Sequence, residues 1–123
     1  MNLGVIKSFN AGGAIPARTI VKYGADNKTV VAAAAATDAV IGVSCDVDAA
    51  LGDPVDVQLQ DIGLFVASAG ITRGAMLTSD AAGKAITAAP AAGANNRLIA
   101  MAMNDAAAGD IFDGLIIQGS IQG

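Results

Sequence analysis

Between Ile41 and Val47 the apolar residues fall on odd positions, while Gly42, Ser44 and Asp46 take the even ones. A period of two predicts a strand with one wet face. Val55, Val57 and Leu59 repeat the pattern against Asp56, Gln58 and Gln60. The linking Asp48-Ala-Ala-Leu-Gly-Asp-Pro54 is a reverse connection, so the pair is expected to be antiparallel. The same plan returns between Leu98 and Ile117, where Gly109-Asp110 answers Gly52-Asp53 at a distance of 57 residues. Working back, Ile15 answers Ile71 and Lys28 answers Lys84, both at 56 residues. The chain therefore reads as a duplication, with halves at about 15–60 and 71–117 inside one β domain spanning 15–118.

Further short strands are expected over Ile15–Tyr23, Thr29–Val31, Ile62–Ala67, Ala75–Thr78 and Ala85–Ala88. Pro16 confines the first of these to an edge or a strand start, because proline donates nothing to a ladder. Gly- and Asp-rich turns at this spacing predict an all-β fold, a small internally duplicated barrel or sandwich. The alanine run 32–36 is too short to hold a helix, and its counterpart 87–94 contains Pro90 and Gly93. Both read as loops that pack closely on something. Residues 1–14, ending in Asn10-Ala-Gly-Gly13, read as an extended N-terminal arm that orders on a partner, and 119–123 as a short tail.

A chain of 123 residues forms one ordinary domain, and each half would be marginal alone, so the halves are expected to share a core. Hydrophobic residues make up 54% but aromatics only 3%, which leaves Val, Ile, Leu and Met to fill that core and calls for extra burial against a partner. A net charge of −4 argues against nucleic acid, whose non-specific affinity comes from Lys and Arg on phosphates. No apolar run reaches the roughly 18 to 20 residues of a membrane span, and the first residues lack the pattern of a signal peptide, so no membrane partner is expected and synthesis is placed in the cytoplasm. The single Cys45 allows no internal disulfide and alternates with Val43 and Val47, as a small buried hydrophobe would.

Histidine is absent, which removes Ser-His-Asp and Cys-His catalysis and imidazole-held zinc together. Asp38, Asp48, Asp53, Asp105 and Asp110 sit at strand ends, where an Asx side chain caps its own backbone. A calcium loop counted from Asp46 would need a carboxylate at Val57, and the match fails. Ala82-Gly-Lys84 is followed by Ala85 and a strand, not by the Ser/Thr and helix of a phosphate loop. No enzyme and no cofactor are expected. One alternative is a biotinyl/lipoyl-type carrier domain modified at Lys84 in its hairpin, although the flanking residues differ from that family's.

The phrases Asp38-Ala-Val-Ile-Gly-Val43, Ala50-Leu-Gly-Asp-Pro-Val55, Gln60-Asp-Ile-Gly63 and Gly70 to Thr78 with Asp80-Ala-Ala-Gly-Lys84 resemble the capsid cement, or decoration, proteins of tailed bacteriophages. The likeness runs from about Gly12 to Gln118. It implies a non-enzymatic virion protein on the outer capsid surface that stabilises contacts between capsomers of the major capsid protein. A homo-oligomer would suit such sites; the resemblance leaves a trimer and a dimer both open, and the trimer is the one expected here. Within the arm, Leu3, Val5, Ile6 and Phe9 are the candidates for capsid contact. Ala33, Ala34, Ala35, Ala91 and Ala92 are candidates for contacts between copies, since small side chains admit close backbone approach. A head-surface fibre or host-adhesion module is the other alternative, weakened by the presence of only Tyr23 and three Phe.

Overall fold

A computed structural model of the chain describes residues 5–122, and among these there is no helix. Ten strands follow in order: β1 Ile6–Ala11, β2 Ile20–Tyr23, β3 Thr29–Ala32, β4 Val40–Ser44, β5 Pro54–Gln58, β6 Ile62–Val66, β7 Met76–Ser79, β8 Ala85–Thr87, β9 Asn95–Ala102 and β10 Ile111–Gln122. The first five close into a barrel in the order β1-β3-β2-β4-β5, and the second five form a sheet in the order β6-β10-β9-β7-β8. The two orders are one topology. β1 pairs antiparallel with β5 and parallel with β3, and β6 pairs antiparallel with β10 and meets β8 through a parallel bridge between Ala67 and Ala85.

The duplication holds at the level of single hydrogen bonds. Ile15 and Ala49 exchange backbone bonds, and so do Ile71 and Ala106. The Gly52 N–H donates to Ala11 and the Gly109 N–H to Ala67, both at 2.8 Å. These two glycines stand at φ +85° and +88°, the left-handed conformation that their turns demand and side chains resist. Asp53 and Asp110 accept from Ala50 and Ala107 at 3.0 Å as turn caps. Asp48 and Asp105 instead reach across to the N–H groups of Ala17 and Arg73, so they tie each turn to a remote segment.

Three expectations need correction. The arm is not an arm from Ile6 onward: β1 is a full member of the first barrel, and the repeating unit begins there and at β6, earlier than 15 and 71. Of the 119–123 tail, Gly119 to Gln122 belong to β10, paired against Leu98 to Asn95 beyond a register shift after Ile116, and 123 lies outside the described residues. Ile15 makes an isolated bridge, and the strand after it starts only at Ile20.

The core is shared, but unequally. Phe9, Ile15, Val21, Val30, Val55 and Val57 fill the first barrel. A larger cluster joins Ile20, Val40 and Val43 of the first half to Phe65, Leu77, Ile99, Phe112 and Ile116 of the second. Small residues make that joint. Where the first half has Lys7 opposite Val57, the second has Gly63 opposite Gly114. A Cβ on Gly63 would stand 2.9 Å from a Val43 methyl, and one on Gly114 2.7 Å from the Phe65 ring. Gly63 has thus given up a side chain to accept β4 of the first half, while Gly114 makes room for the second half's own Phe65, and buried Gly42 and Ser44 lose the wet face that the period predicted.

Candidate interaction surface

The expected contact residues divide by burial. Val5 and Ile6 are 48% and 38% exposed, whereas Leu3 lies outside the described residues. Phe9 is 4% exposed, edge-on to Tyr23 at 5.9 Å between centroids and 5.2 Å beneath the Lys7 ammonium. It belongs to the barrel core, so the capsid contact expected of it is closed to it. Ala33 is likewise buried in the joint, its N–H donating to Ile20, and offers nothing to another copy. The Ala36 carbonyl accepts from the Arg97 N–H and the Thr78 hydroxyl, so this first alanine loop serves mainly to clasp the second half. Ala34 is exposed, Ala35 half-buried, and Ala91 and Ala92 are exposed in a turn closed by the Ala94 N–H on the Ala91 carbonyl.

One carboxylate holds the clasp. Asp38 accepts from the N–H groups of Ala34 and Ala35 at 2.8 and 3.0 Å and pairs with Lys22 at 3.0 Å. Burial works against its charge, but the Ala34 N–H, Lys22 and Ala35 outweigh it and leave the pKa below its ordinary value. A lowered folded pKa contributes stability above the unfolded value of about 3.9, which is lost as pH falls through the folded one. Asp38→Asn is therefore expected to lower the melting midpoint at neutral pH and to lessen its fall below about pH 4. Parallel acid limbs for the two proteins in thermal melts would refute the assignment.

The duplication supplies an internal control for the surface. In the first half, Ile6, Gln58, Val43 and Ile20 stand in one row across four strands. In the second, Ile62, Leu115, Met101 and Met76 occupy the same register. Gln58, Val43 and Ile20 are 5%, 1% and 0% exposed because the second half covers them, while Leu115 and Met76 are 36% and 37% exposed. Beyond this row Ser8 and Asp56 are answered by Leu64 and Asp113, and Asn10 and Pro54 by Val66 and Ile111. Met103 adds a further exposed side chain beside Asp113. Ser8, Asn10 and Gln58 of the first half are thus replaced by Leu64, Val66 and Leu115 in the second, around an aspartate common to both, although the fold is the same. The fold does not require this, and a contiguous apolar face of this kind marks an interaction site. Strand periodicity placed Asp56 and Gln58 outward but put Val43 with the core and Gly42 and Ser44 in water, and it does not say which face would be left uncovered.

At the β6 edge of this face a cleft of about 210 Å³ opens between the halves, bounded by Ile62, Leu64, Val43 and Gln58 on one side and Arg18, Cys45 and Asp46 on the other. Arg18 stands at φ +57°, where the matching turn of the second half has Gly74 at +87°. The two N–H groups make equivalent bonds, to Cys45 and Ala102. A left-handed conformation costs a residue with a Cβ about 1 kcal/mol, and the first half bears it with an arginine. Cys45 is half-buried, and burial, followed by the charges of Asp56 and Asp46, pushes its thiol pKa up.

Residues 2–116 match the family described as phage cement protein. The chain belongs to that family. Its fold is also similar to that of the head fiber gp8.5 N base in bacteriophage phi29, with a TM-score of 0.70 and 18% identity over 97% of this chain and 98% of that one. A comparison with curated proteins returns no match. A phage head structural protein is the class these findings support, which gives the surface just described its context. Lys84, the alternative carrier residue, is exposed in the β7–β8 turn, but Gly83 beside it is packed against Thr19 and Ile20 of the first half. That turn is docked, whereas a carrier lysine has to stand clear of its domain.

Proposed function

We propose that this cement-family protein binds the outer surface of the phage head and stabilises contacts between capsomers of the major capsid protein, without catalysis. The supporting observation is the outward face of the second half, apolar where the equivalent face of the first is polar or covered. A subunit that bridges a capsomer junction adds binding free energy to the intact head alone, so mass action resists disruption. Many copies on one shell multiply the effect. A homotrimer at local three-fold positions suits such sites, with a dimer at two-folds as the alternative. Ala34, Ala35, Ala91 and Ala92 remain the candidates for contacts between copies, and Val5 and Ile6 for a second touch on the capsid.

Light scattering on the purified protein, followed by cosedimentation with undecorated heads of its own phage, tests the reading. Saturable binding that raises the temperature at which heads open is expected. Heads that sediment without the protein, or that bind it and open no later, would sink it. The likeness to a head fibre base favours one second reading, a platform for a fibre, and that reading predicts binding without any gain in head stability.

A further inference from the structure

The cleft between the halves is a built feature without a role in the fold. Its walls are Val43, Ile62 and Leu64, and the last two continue onto the apolar outer face. Arg18 lines its other side together with Cys45 and the Asp46 carboxylate, with which it forms no ion pair, and the Arg18 Nε is buried without a hydrogen-bond partner among the described residues. Nor is Arg18 in an ion pair there; the two recorded pairs are Lys22 with Asp38 and Arg73 with Asp105. The turn itself does not ask for arginine, since Gly74 makes the same turn in the second half with the conformation that glycine prefers. A strained backbone holding a guanidinium whose buried Nε lacks a partner, beside an aliphatic wall, is the pattern of a site awaiting a ligand.

We propose that this cleft is an anchor socket for a protruding segment of the coat protein, one that presents an aliphatic side chain next to a carboxylate. The aliphatic group enters between Val43, Ile62 and Leu64. The carboxylate meets Arg18, whose planar fork gives charge-assisted bonds with defined geometry. A second copy of this chain is a poorer occupant. Within the chain, the first half's row is covered through a socket at Gly63, and the equivalent position on the first half carries Lys7. The proposal rests on the head-binding reading and names the partner chemistry of that same surface.

The only cysteine, Cys45, lies in the cleft and reports on it. The experiment measures maleimide labelling of Cys45 with and without undecorated heads, together with head binding by wild type, Arg18→Gly and Arg18→Asn. Both substitutes tolerate positive φ, so their melting midpoints are expected to stay level or to rise by a few degrees, roughly the scale of relieved strain. Their head affinity is expected to fall about tenfold or more, as loss of a charge-assisted contact dictates. Heads should slow labelling of wild type and protect either variant much less. Wild type that binds heads with Cys45 still open, or folded Arg18 variants that bind as wild type does, would overturn the socket and leave the head-binding reading standing. Wild type that ignores heads would overturn both.

Discussion

A chain lacking residues 1–10 is expected not to fold. β1 pairs with β5 from Ile6 to Asn10 and with β3 at Asn10 and Ala11, so its loss opens the barrel along two edges at once. It also takes Phe9 out of a cluster in which that ring is one of the largest side chains. Truncating a buried Phe to Ala alone costs about 3–5 kcal/mol, against a total stability of about 5–15 kcal/mol for an ordinary domain. Removing the whole strand adds lost ladder bonds and a newly exposed apolar interior. Phe9→Ala in the full chain should therefore lower the melting midpoint sharply, and the deletion should show no cooperative melt by circular dichroism. A deleted chain that melts cooperatively within a few degrees of the full one would restore the idea of a detachable arm.

That strand was within reach of the sequence. Phe9 and Phe65 are 56 residues apart, the same separation as Ile15 and Ile71, so the duplication extends back through β1. The local pattern hid it, because Lys7-Ser-Phe-Asn-Ala11 buries only Phe9 and Ala11 and shows no alternating run. Its partner strand β5 is also far along the chain, and backbone pairing of that kind leaves little mark on composition. The end of β10 escaped for the same reason: Gln118 to Gln122 is exposed and is held by its ladder to β9. By contrast, the hairpins at 48–54 and 104–110 were plain from Gly and Asp, because positive φ and side-chain caps constrain residue type directly. The candidate surface was legible only in part. Met76, Met101 and Leu115 read as core residues by type, and nothing local says that one copy of a repeated face is covered while the other is open.

Introducing Glu at one register position in each half separates those two cases. Val43 and Met101 are equivalent, opposite Ile20 and Met76, yet one is 1% exposed in the joint and the other half-buried on the outer face. Val43→Glu places a carboxylate against Gly63 and the apolar cluster, with Arg18 on the same cleft. A charge buried in that joint still costs about 4 kcal/mol or more where the arginine does not neutralise it, so that variant is expected to be unfolded or close to it, and more so with Arg18→Asn beside it. Met101→Glu and Leu115→Glu can turn their carboxylates to water and should change stability by about 1 kcal/mol or less. Each should weaken head binding by about tenfold or more, because a charge at the centre of an apolar contact has to be desolvated on docking. Urea titrations read the first difference and cosedimentation the second. Met101→Glu and Leu115→Glu proteins that are stable and bind heads as tightly as wild type would move the capsid contact away from this face. A Val43→Glu that stays stable with Arg18→Asn beside it would mean that the halves are not joined through β4. The contrast matters because composition and strand period are the same at both sites, and only the neighbour differs. In the first half that neighbour is the second half, and in the second half the expected neighbour is the head.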